Sequence, residues 1–128
     1  MTEMAWYSID QKGKTQDHPP VKLEEALQIA RKYYANAEKT YQTAEEGIAE
    51  TMFGFMRDKT TFIELCINGP ADISCRFEMP KKPDAMFFRG VFQRQTLLAS
   101  IEEIEKTITD FYTREPMQFR ERRAARRA

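Results

Sequence analysis

Histidine is nearly missing from this chain, with His18 the only one. Any Cys-His, Ser-His or multi-histidine metal site would have to use it. It stands in a polar segment just before Pro19-Pro20, a poor place to preorganise a base, so a solvated loop histidine is expected. Cysteine is scarce too: Cys66 and Cys75 lack Cys-x-x-Cys spacing and have no second cluster to complete four ligands. Both are expected to pack as small apolar residues in a reducing compartment. The five glycines form no G-x-G-x-x-G or Walker pattern, which removes phosphate cradling by a glycine loop. No apolar run approaches the roughly 20 residues that cross a bilayer, and Met1 to Asp10 lacks the basic start and apolar stretch of a secretion signal. A cytoplasmic address without membrane partners is therefore expected. Carboxylate pairs exist at Glu24-Glu25, Glu45-Glu46 and Glu102-Glu103, but neighbours on a helix point apart, and none marks a glycosidase-like site. With no base, nucleophile or metal set in credible geometry, the chain reads as a non-enzyme that needs no cofactor.

What is present describes one folding unit. The 128 residues are 41% hydrophobic and 31% charged, too apolar for a disordered chain and long enough to bury one core without staples. Residues 1–118 are expected to form a single domain, and 119–128 an arginine-rich tail. That tail holds Arg120, Arg122, Arg123, Arg126 and Arg127 against Glu121, a balance of +4. Formal net charge is zero, so the body carries −4, which disfavours nonspecific nucleic-acid binding and suits a basic partner. The arginines invite comparison with phosphate-binding clusters, but one short terminal cluster on an acidic body fits better with solvation, or with docking on an acidic patch of a partner or a second copy.

Met4 to Ile9 is a short apolar, aromatic run that suits a strand, and Gln11 to His18 is polar and contains Gly13. From Lys22 the period becomes helical, with Leu23, Leu27, Ala30 and Tyr34 on one stripe and Ala26 and Tyr33 beside it. The stripe continues through Ala37, Tyr41, Ala44 and Ile48 like a heptad seam, yet its alanines favour a long or broken helix laid on a sheet over a coiled coil. Four strand-like stretches follow: Thr51 to Arg57, Thr61 to Asn68, Ile73 to Met79 and Phe87 to Gln95, separated by short turn-rich segments. Ser100-Ile-Glu-Glu is a capping box that starts a second helix. Ile101, Ile104, Ile108 and Phe111 share a face of that helix, and Pro116 marks its end. The expected fold is α+β: an antiparallel four- to five-stranded meander packed with an N-terminal and a C-terminal helix.

Alternation fixes a register for the middle hairpin. Ile63, Leu65 and Ile67 must share a buried face with Ile73, Cys75 and Phe77. Within that constraint, Glu64 falls opposite either Arg76 or Glu78. Opposite charges favour Arg76, which also pairs Leu65 with Cys75 and parts the two cysteines onto opposite faces. One feature exceeds the needs of a single core. Thr51 to Met56 and Phe87 to Phe92 are apolar on both faces, so either helices cover both or a face rimmed by Phe62, Glu64, Arg76 and Glu78 is left for a partner. Those four residues are the candidate partner-binding set.

The layout of short aromatic strand, helix, four-strand meander, capped helix and charged tail resembles small bacterial immunity proteins, encoded beside polymorphic, contact-dependent or type VI-secreted toxins. The resemblance lies in size, element order and the lack of catalytic residues, and carries over no functional residue. It implies a tight stoichiometric complex with a cognate toxin domain. Two other roles fit parts of the pattern: a secretion-type chaperone or adaptor, which usually begins with a helix and is often a dimer, and a nucleic-acid-binding regulator acting through the tail.

Overall fold

The computed structural model describes residues 2–9, 13–43, 51–58, 60–69, 72–80 and 91–115. They form β1 (Glu3–Ile9), β2 (Thr15–Lys22), α1 (Leu23–Thr43), β3 (Thr51–Met56), β4 (Phe62–Gly69), β5 (Asp72–Pro80), β6 (Val91–Leu98) and α2 (Ile101–Thr113). The strands make one antiparallel sheet in the order β2-β1-β3-β4-β5-β6. The fold is therefore α+β as expected, with six strands where four or five were anticipated, and with α1 following two strands rather than one. The connection through α1 returns the chain to the far side of β1. This places β3 inside the sheet instead of at the edge of a meander.

The unexpected strand is β2. Its sequence, Thr-Gln-Asp-His-Pro-Pro-Val-Lys, shows no apolar alternation and contains two prolines, which is why it reads as a loop. It survives as an edge strand, where a missing N–H faces no neighbour, and its register against β1 shifts so that Pro19 and Pro20 oppose Ala5. His18 consequently lies in a strand rather than a loop. Its ring stacks on Trp6 at 3.9 Å between centroids, and its Nε2 lies 2.9 Å from Ser8 Oγ.

The middle hairpin has the expected register, with Glu64 opposite Arg76 and Leu65 opposite Cys75. Cys75 is buried in the core, whereas Cys66 pairs with Ser74 on the other face. The last strand runs Val91–Leu98 instead of Phe87 to Gln95; residues 87–90 and the whole of the tail, 119–128, lie outside the described residues.

Both described helices cover the same face. Phe53, Phe55, Ile63, Leu65, Ile67 and Ile73 from the sheet are fully buried with Ile104, Ile108 and Phe111 from α2, each contributing about 1.5–3 kcal/mol. Phe77 meets Phe111 edge-on, and Phe55 meets Tyr112 in the same way. On α1 the buried line is Ala26, Ala30 and Ala37, while Leu23, Leu27 and Tyr34 are only partly covered. The inward stripe is thus rotated from the one the leucines suggest. Small residues let the helix approach the sheet closely, and Tyr33 stacks on Phe53 at 4.7 Å. Arg31 and Glu105 bridge the two helices at 3.0 Å.

At the start of α2, the Ser100 hydroxyl accepts from the Glu103 N–H as the capping box requires. The returning Glu103 carboxylate accepts from Ala99 N–H at 3.1 Å, one residue earlier than expected. The helix ends at Thr113, with Arg114 as its C-cap, two residues before Pro116.

Candidate functional site on the face away from the helices

Because side chains alternate, the registers also define the second face. Tyr7, Gly54, Glu64, Arg76 and Gln95 stand side by side across five strands, with Asp17 beside Tyr7 on β2. Neither described helix packs on this row. Gly54 makes it possible: a Cβ there would collide with the Cζ and hydroxyl of Tyr7 and lie 2.7 Å from the Ile63 carbonyl oxygen. The tyrosine ring therefore lies down over the glycine, and its hydroxyl donates to Glu64 Oε1 at 2.9 Å. Glu64 Oε2 in turn sits 3.3 Å from Arg76 Nη2, and the Arg76 guanidinium covers the Phe62 ring at 5.3 Å.

The network is half-sunk. Tyr7 is only 8% exposed, although no described helix covers it. Burial, then the Glu64 charge and the hydrogen bond to it, push its phenol well above the ordinary range, with Arg76 opposing. Tyr7 is therefore held protonated, as a donor rather than a base. Arg76 Nε is buried and meets no hydrogen-bond acceptor among the described residues.

A shallow concavity of about 260 Å³ opens over this row, lined among others by Ile9, Asp17, Met56 and Phe62. All four candidate residues from the sequence fall on this face: Glu64 pairs with Arg76, and Phe62 pairs with Glu78 in the next register position. They are not its rim, however. Glu64 and Arg76 are its polar centre. Tyr7 and Asp17 escaped notice because β1 and β2 join from the far end of the sequence, and Gly54 of β3 because it has no side chain of its own to show there. The one signal was Gly54 inside an otherwise apolar strand, which marks a close approach. The expected apolar excess survives in part: Met52 and Met56 of β3 lie here, half-buried.

A second concavity, of about 750 Å³, lies where α1 begins and α2 ends, lined by Leu23, Leu27 and Tyr112 with Glu24 and Glu25. Tyr112 is committed to structure there, donating to the Val21 carbonyl at 2.9 Å. Among the described residues no group of three or more His, Cys, Asp or Glu could hold a metal ion, and no helix is long and apolar enough to cross a membrane. Comparison with protein-family models, curated proteins and solved structures returns no match for this chain.

Proposed function

We propose that this chain is a binding protein that engages another protein through the face carrying Tyr7, Phe62, Glu64, Arg76 and Glu78. One observation carries the reading: an ordered Tyr7-Glu64-Arg76 network stands among Met52, Met56 and Phe62 on a sheet face that neither described helix covers. Apolar and aromatic side chains around a half-buried polar centre, with an arginine donor still unused, are the ingredients of an interface hot spot. The same network suits catalysis poorly, since its phenol is locked protonated and its carboxylate is already shared by a hydroxyl and a guanidinium.

Within that class the immunity-protein role follows the layout of the chain. The partner is then a cognate toxin domain, bound stoichiometrically in the cytoplasm, and the carboxylates Asp17, Glu64 and Glu78 around Arg76 suit a basic toxin surface. Co-expression with the product of the adjacent reading frame tests this. The two products should co-purify and toxicity should be suppressed. Phe62→Thr and Glu78→Lys should each weaken the complex at least ten-fold, with circular dichroism confirming that the fold is kept. A protein that neither binds the neighbouring product nor rescues cells from it has a different role.

A further inference from the structure

We propose that β6 is a dimerisation edge, its Val91–Leu98 backbone pairing antiparallel with the same strand of a second copy to join two sheets into one. The two edges of the sheet are defended very differently. β2 carries Pro19 and Pro20, a register shift opposite Ala5, and charges at Asp17 and Lys22. Proline, bulges and charge are the devices that stop edge-to-edge pairing. β6 has no proline, pairs with β5 over its whole length without a shift, and contains one charged residue, Arg94. Among the described strands it has a neighbour on one side only. It also bears Leu97, 77% exposed and the sole exposed large hydrophobic among the described residues.

The same contrast selects the occupant. Pairing β6 with the β2 edge of another copy would propagate without closing, and the prolines withhold donors that it needs. Pairing β6 with β6 about a two-fold axis normal to the sheet closes in one step and leaves only blunted β2 edges. Such an axis opposes residues of the same face, which admits few registers. Centring it on Arg94 sets two arginines against each other, which is unfavourable. Centring it on Gln95 places Arg94 opposite the partner's Thr96 and Gln93 opposite the partner's Leu97, so the charges part and the exposed leucine gains cover. Gln95 stands beside Arg76 in the row described above, so the dimer also merges two binding faces into one surface.

Size-exclusion chromatography with light scattering on the full chain, with circular dichroism to confirm folding, tests the proposal. Wild type should run as a dimer. Gln95→Lys and Gln95→Glu should each raise the dissociation constant about five-fold or more, because like charges meet on the axis. An equimolar mixture of the two should recover the dimer. A wild-type chain that stays monomeric overturns the proposal, even if another protein takes the edge, and so does a dimer that both variants leave intact.

Discussion

Gly54 and Tyr7 show how one missing side chain organises a surface. The Tyr7 ring occupies the space a Cβ would need, so Gly54→Ala should displace the ring, break its bond to Glu64 and cost about 1–3 kcal/mol in urea denaturation. An alanine variant as stable as wild type would mean that the ring does not lie there. Tyr7 and Tyr112 also set the alkaline limit of the fold. Burial, with neighbouring carboxylates (Glu64 at Tyr7, Glu25 and Glu3 at Tyr112), raises both phenols. The unfolded chain releases such protons near pH 10 while the fold retains them. Their contribution is thus whole below that pH and is lost progressively as pH climbs from there toward the raised values of the folded state. Phenolate absorbance should show at least these two of the five tyrosines resisting ionisation until the chain unfolds. Smooth ionisation of all five in the native state would refute this. At the acid end, partial burial works against the Asp58 carboxyl, but hydrogen bonds from Thr60 and Thr61 hold it below its usual range, which keeps the β3–β4 turn closed at neutral pH.

Elements are joined by a few long-range contacts that no local pattern announces. Arg57, just past β3, donates to the carbonyls of Phe111 and Arg114 at the end of α2 and stacks over the Phe111 ring. A cation on a helix C-terminus is favourable, and these bonds satisfy carbonyls that the helix itself leaves unpaired. Arg57→Ala should therefore cost about 1.5–3 kcal/mol and fray α2 first, seen as early loss of amide protection over residues 110–114. Equal protection in the variant would remove this role. Legibility in the sequence followed the same division. The hairpin of Phe62–Gly69 and Asp72–Pro80 was readable to the register because strict alternation and one charge pair leave a single solution. α2 was readable from its cap. β2 was not, because an edge strand with two prolines has neither alternation nor propensity, and it stands only because β1 supports it. The buried stripe of α1 was legible in part: Ala30 and Ala37 lie on the expected stripe and are buried, whereas Ala26 is buried in place of the partly covered Leu23 and Leu27, because an alanine carries less apolar signal than the leucines beside it.

At the scale of the whole molecule, the packing that stabilises the fold is concentrated on one face of the sheet. Both described helices and most of the buried aromatics serve one face of the sheet, which frees the other to carry polar and methionine side chains. Half of the candidate site was therefore visible in the sequence: Phe62, Glu64, Arg76 and Glu78 belong to adjacent strands. The half from β1 and β2 depends on a crossover that no spacing records. If the sheet face is the interface, deleting Arg120 to Ala128 should leave partner affinity within about two-fold of the full chain in calorimetry, as expected of contacts lying elsewhere. Collapse of binding on truncation would move the function to the tail instead.

The hydrogen bond from Tyr112 to the Val21 carbonyl spans 91 positions of sequence. It ties the last described helix to the second strand, so the N-terminal half cannot complete its core while a ribosome is still making the rest. Phe55 and Phe77 wait uncovered for Tyr112 and Phe111, and long-range closure of this kind makes folding late and slow. A chain released after residue 99 should bind a hydrophobic dye and a holdase chaperone, and one released after residue 115 should bind neither. For such a chain, the interval between synthesis and protection is set by how soon Ile101–Thr113 leaves the exit tunnel.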